Sequence, residues 1–149
     1  MVQMVQDSRH PHDRGVEFAQ VLLVDDDPAA RLTLQTVLKA GGYGVDAAAS
    51  AAEALDKLEE GEYDLVLSDL RMESPEAGLM VLAHARMMDY KPATALITTY
   101  QDSKRRRVKK GSRPVLIEPE DLPELLSKVA DLISERAARR VERTLRHSV

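Results

Sequence analysis

The sequence predicts an α/β fold, a doubly wound parallel sheet of five strands in the order 2-1-3-4-5. Three observations carry that expectation. Val21-Leu22-Leu23-Val24, Leu65-Val66-Leu67 and Ala95-Leu96-Ile97 are short apolar runs with no polar face, as in strands covered on both sides. The stretches between them place apolar residues three and four apart, the pattern of helices packed on a sheet. Strand and helix alternate five times, and right-handed crossovers then make the sheet parallel. Two strands of mixed character take the edges, and the stated order follows.

The elements can be justified in turn. Residues 1–18 are polar, contain Pro11 and Gly15, and lack periodicity, so a disordered leader is expected there. After the first strand, Asp27 is placed to cap a helix with Pro28 in its first turn, and Gly41-Gly42 to stop it. Tyr43 to Ala48 is a weaker strand. Ser50-Ala51-Ala52-Glu53 reads as a capping box opening a helix that ends at Gly61. The third strand follows from Tyr63 and ends on Asp69. Leu79, Val81, Leu82, Ala85, Met87 and Met88 predict a third helix with its methionines in the core.

Ala95 to Ile97 is the fourth strand, leading into Thr98-Thr99-Tyr100, and Lys104 to Lys110 is expected to form a short basic helix. Pro114 to Ile117 is a fifth strand, at an edge because proline cannot donate to a ladder. Leu122, Leu125, Leu126, Val129, Leu132 and Ile133 form the stripe of a last helix. Beyond it, residues 135–149 are arginine-rich and read either as a helix extension or as a solvated tail.

Composition narrows the function. The 149 residues suit one domain with tails. Charged residues make up 31% and the formal net charge is -4, which argues against a general nucleic-acid or membrane binder. With no cysteine there is neither a disulfide framework nor a thiolate metal site, and the four histidines do not cluster. No apolar stretch approaches a membrane span. A cytoplasmic location is the expectation.

In the 2-1-3-4-5 order the carboxyl ends of strands one and three lie side by side at the topological switch point. Asp25, Asp26 and Asp69 are therefore expected to converge. Three such carboxylates repel, and a hard divalent cation relieves this. Magnesium fits because it accepts a few carboxylate oxygens and keeps its other octahedral positions for water or phosphate oxygens. A carboxylate beside it can attack phosphorus to form an aspartyl phosphate. The Thr98 hydroxyl, at the end of the next strand, is placed to bond a phosphoryl oxygen. The alternative for Asp25 to Asp27 is a capping cluster.

Val24-Asp25-Asp26-Asp27-Pro28, Tyr63 to Met72, Ile97-Thr98-Thr99-Tyr100 and Glu118-Pro119 resemble the response-regulator receiver domain, with its flavodoxin-like (βα)5 fold. The resemblance implies a receiver over residues 19–134. It implies Asp69 as phosphoacceptor, Asp25 and Asp26 as the acidic pair holding Mg2+, and the Arg71 backbone carbonyl as a further metal ligand. Thr98 matches the hydroxyl residue that contacts the phosphoryl group. Three features depart from the family pattern. Glu118 stands where a lysine usually pairs with the phosphoryl group, and it either adds repulsion there or turns outward to a basic partner. The loop after Asp69 has Glu73 at four, Pro75 at six and Gly78 at nine, one residue longer than usual. Val115 replaces the usual aromatic switch.

The leading expectation is a stand-alone atypical receiver, a phosphoacceptor and not a turnover enzyme. It would take its phosphoryl group from a histidine kinase or phosphotransfer protein and signal to a downstream protein partner. A phosphorylation-independent pseudo-receiver is the alternative. A magnesium-dependent phosphatase ranks lower, because Arg71 stands where such enzymes carry a second acid. The basic Lys104–Lys110 segment has no interleaved aromatics for nucleic acid. The arginine-rich end offers a surface for a homodimer or a partner, and His84 is read as a packing residue.

Overall fold

The computed structural model describes residues 19–70, 72–74, 76–97, 116–117 and 122–147. Its centre is β3 (Leu65–Asp69), which pairs in parallel with β1 (Gln20–Val24) on one side and β4 (Ala93–Ile97) on the other. β2 (Gly44–Ala48) lies outside β1, and β5, described as Leu116–Ile117, lies outside β4. The sheet order is β2-β1-β3-β4-β5. The described helices are α1 (Pro28–Ala40), α2 (Ala51–Glu60), α3 (Ala77–Arg86) and α4 (Leu122–His147). The expected basic helix at Lys104–Lys110 lies outside the described residues, as do the leader and Pro114.

Successive strand residues face opposite sides, and both sides are covered. Val21, Leu23, Leu65, Leu67, Ala95 and Ile97 pack with Leu34 and Leu38 of α1 and Leu125 and Val129 of α4. Leu22, Val24, Val66 and Leu96 pack with Ala54 and Leu58 of α2 and Val81, Leu82 and Ala85 of α3. The uninterrupted apolar runs of β1 and β3 follow from this, since each residue has a core to enter. Burying each such leucine or valine contributes about 1.5–3 kcal/mol.

The helix ends form as the sequence predicts. Asp27 accepts from the Ala29 N–H at 3.2 Å, with Pro28 opening α1. Ser50 Oγ accepts from the Glu53 N–H at 3.1 Å, while Glu53 Oε1 accepts from the Ala49 N–H at 2.8 Å. Gly42, just past α1, has a φ of 102°, the left-handed region that favours glycine. α3 differs from expectation. It stops at Arg86, and Met87 caps it 76% exposed, so this methionine is not core; Met88 only borders the core. His84 is half-buried, and its Nε2 also lies 2.8 Å from Glu59 Oε2.

The arginine-rich end is helical through His147, and its first arginine is not exposed. Arg136 is buried, with Nη1 on Asp64 Oδ1 at 2.6 Å, Nε on the Lys91 carbonyl at 2.9 Å and Nη2 on the Tyr90 carbonyl at 2.6 Å. Asp64 Oδ2 accepts from the Gln20 N–H at 2.8 Å. Lys91 has a left-handed φ of 46° in the turn that offers these two successive carbonyls. One guanidinium thus ties α4 to the amino-terminal edge of the sheet, a task suited to its planar fork of donors.

Arg136→Ala is expected to destabilise the fold by about 2–4 kcal/mol in urea unfolding, because it strands Asp64 and two carbonyls. Arg136→Lys should recover only part of this, since one ammonium cannot reach all three acceptors. Wild-type stability in Arg136→Ala would refute this anchoring role.

Candidate functional site

The opposite, carboxyl-terminal edge of the sheet carries the acidic residues. β1 leaves the sheet at Asp25, whose N–H donates to the Ala48 carbonyl at 3.0 Å and so continues the direction of the strand. Its Oδ1 accepts from the Asp27 N–H at 3.0 Å, and Arg31 Nη1 donates to its carbonyl oxygen at 2.8 Å. Asp25 is therefore held in place, and Asp27 rather than Asp25 or Asp26 caps α1. The capping alternative accounts for only one of the three acids.

Asp69 ends β3 in register with Ile97, and the Leu70 N–H donates to the Ile97 carbonyl at 2.9 Å. One carboxylate oxygen from each of Asp25, Asp26 and Asp69 lies within 4.8 Å of the others. The convergence expected from strand order is present. Asp25 is buried, Asp69 partly buried and Asp26 exposed, so the group opens to solvent on one side. Burial pushes the Asp25 carboxyl above its ordinary value; the Asp27 N–H opposes this, and the Asp26 and Asp27 charges add to it.

The donor set is chemically suited to a hard cation: all oxygen, mostly anionic, with an open side for water. An octahedral magnesium ion with ligands at about 2.1 Å sets neighbouring oxygens about 2.9 Å apart and opposite ones about 4.1 Å apart. The oxygens of Asp25, Asp26 and Asp69, within 4.8 Å of one another, have separations of the same order. Arg71, Thr98 and Glu118 lie outside the described residues, and with them Tyr100 and Val115.

The structure gives contacts to Gly78 and Glu73, which the sequence marked only as a lengthened loop, and adds Arg31. Gly78, in the first turn of α3, lies against the Asp69 backbone: a Cβ there would come within 2.3 Å of the Asp69 carbonyl oxygen. Its glycine identity is the signal, since only that residue admits such an approach. Glu73 Oε2 accepts from the Ala51 N–H at 3.0 Å, so the loop after Asp69 is tied to the start of α2. No local pattern announces this contact, because the two residues are 22 apart in sequence. Arg31 was likewise missed, since its target is a main-chain oxygen.

Residues 21–130 match the response regulator receiver domain. The chain belongs to the response regulator receiver domain family. It is thus a receiver domain of the kind found in two-component systems. Among solved structures, the response regulator TrrA from Thermotoga maritima, in complex with Mg(2+)-BeF, is 31% identical with a TM-score of 0.65, covering 76% of this chain and 97% of that one. Among curated relatives, the transcriptional regulatory protein ZraR of Klebsiella oxytoca is 32% identical over 111 residues, 73% of this chain and 25% of that protein. The transcriptional regulatory protein PrrA of Mycobacterium leprae is 30% identical over 128 residues, 85% of this chain and 54% of that protein. This receiver thus spans between a quarter and about half of the length of these two relatives.

Two tests follow from the geometry. Gly78→Ala is expected to lower stability by about 2 kcal/mol and to move the Asp69 and Leu70 amide resonances, because backbone must shift; unchanged resonances would contradict the close approach. For Asp25, a folded pKa raised above the ordinary 3.8 means the folded state holds the proton more tightly, so stability falls as pH rises through the interval between the two values. In metal-free buffer Asp25→Asn should therefore melt above wild type at pH 7, with the difference gone below pH 3.8.

Proposed function

We propose that this receiver accepts a phosphoryl group on Asp69 from a histidine kinase or phosphotransfer protein and passes the signal on through protein–protein contacts. The observation that carries this reading is the meeting of the Asp25, Asp26 and Asp69 carboxylates within 4.8 Å at the sheet's carboxyl edge. Asp25, Asp26, Asp69 and the Arg71 main-chain carbonyl would hold Mg2+, the ion present in the complex of the Thermotoga relative. When bound, the ion supplies charge neutralisation for an incoming phosphoryl group.

The chain's own residues do the rest. Asp27, whose N–H donates to Asp25 Oδ1, and Arg31, which donates to the Asp25 carbonyl, hold Asp25 in place. Gly78 lets α3 approach behind Asp69 and so sets the direction of its backbone. An Asp69 oxygen attacks the phosphorus of a phosphohistidine: a P–O bond forms, the P–N bond breaks, and the imidazole leaves and takes up a proton. Thr98, the residue after Ile97 in the sequence, would be the hydroxyl that contacts the phosphoryl group, a role supported by the register of Ile97 with Asp69. This is stoichiometric transfer, not turnover. We place the reaction in the cytoplasm, in keeping with a cysteine-free chain.

A second reading, a phosphorylation-independent receiver, is favoured by Glu118 in place of lysine and Val115 in place of the aromatic. A small acyl phosphate with Mg2+ separates the two. The proposal expects magnesium-dependent labelling of wild type that is lost in Asp69→Asn, and a longer-lived phosphoprotein in Glu118→Lys. Labelling that survives Asp69→Asn moves the acceptor elsewhere, and absence of labelling in both wild type and Glu118→Lys favours the second reading.

A further inference from the structure

Beyond Arg136, α4 runs on through His147 with every residue from Ala137 to Arg146 exposed. The family match ends at residue 130, so this stretch lies outside the matched receiver domain. It is not a uniformly polar helix. Val141 is 59% exposed and Leu145 61%, and with Ala137 they lie four residues apart on one face. That face and Asp64 border a groove of about 430 Å3, which Thr144 also lines. On the other side of Arg136 a concavity of about 200 Å3 is lined, among the described residues, by Arg86, Lys91, Arg139 and Arg143 beside Pro92.

We infer that this extension is a docking surface for a partner protein's acidic amphipathic helix. The argument is charge complementarity around an apolar seat. Between Ala137 and His147 stand Arg139, Arg140, Arg143 and Arg146 against the single acid Glu142. The stretch is net positive in sequence, and its Glu142–Arg146 pair, 3.8 Å apart and solvent-exposed, is weak. A second copy would bring the same four arginines against these four. A membrane-surface helix carries a broader apolar face with aromatic residues, and this stretch has no aromatic residue. A helix with leucines along one face and carboxylates on its flanks covers Val141 and Leu145 and meets the arginines at once. The anchor suits the role, because Arg136 holds the base of the surface to the sheet through Asp64. The inference concerns the edge opposite Asp69 and stands whether or not Asp69 is phosphorylated.

The test uses the full chain, isotopically labelled, and two synthetic helical peptides of equal negative charge. One carries leucine at heptad a and d positions with glutamate at e and g, and the other has serine in place of leucine. The expected result is saturable shifts of the amides from Ala137 to His147 with the leucine peptide, and binding weakened at least about tenfold with the serine peptide. Val141→Asp and Leu145→Asp should each weaken it to a similar degree with unchanged melting temperature, which excludes a folding defect. Equal binding of both peptides, preference for phosphatidylserine–phosphatidylcholine vesicles or duplex DNA, concentration-dependent dimerisation through this helix, or no binding would each overturn the inference.

Discussion

Parallel pairing of β1 with β3, in a register that sets Val24 against Ser68, brings the two strands to the same sheet edge. Asp25 and Asp69 are the next residues on the two chains. The meeting of Asp25 and Asp69 therefore follows from the sheet, and Asp26 joins them from the bend that leads into α1. Packing specifies the register, because a slip by one residue would exchange the residues that fit the α1/α4 core with those that fit the α2/α3 core. The same core that stabilises the fold, with Leu22, Leu23, Leu65 and Leu67 fully buried, thus determines where the acids lie.

The two ends of β3 show how environment divides the work of one residue type. Asp64 precedes the strand and meets the Arg136 guanidinium and the Gln20 N–H, so its charge is matched and its role is structural. Asp69 ends the strand and meets two further carboxylates, an arrangement that a cation would stabilise. The structural pair fastens α4 at one edge, and the acidic cluster opens to solvent at the other. α4 extends beyond the receiver without entering the acidic edge.

Much of this was legible in the sequence, and the reasons are local. The unbroken apolar runs identified β1, β3 and β4; Asp27-Pro28 and Ser50 to Glu53 identified the starts of α1 and α2; the strand order then implied that Asp25, Asp26 and Asp69 converge. What escaped depended on contacts distant in sequence or made to backbone. Arg136 looked like the first of several solvated arginines because its partners, Asp64 and the Tyr90 and Lys91 carbonyls, are at least 45 residues away. Met87 looked apolar enough for the core, yet α3 ends one residue before it and leaves it exposed. Glu73 stood out as a departure from the family pattern, but its contact with the Ala51 N–H became apparent only in three dimensions.

Membership of the receiver family and the geometry of the acidic edge both support the proposed reading as a metal-assisted phosphoacceptor. The most direct test of that account is a Mg2+ titration of the isotopically labelled chain at neutral pH, read from backbone amide shifts. The account predicts saturable, single-site shifts centred on Asp25, Asp26 and Asp69 that disappear in Asp26→Asn. Shifts that are absent, or that scatter over exposed acids without saturating, would contradict it.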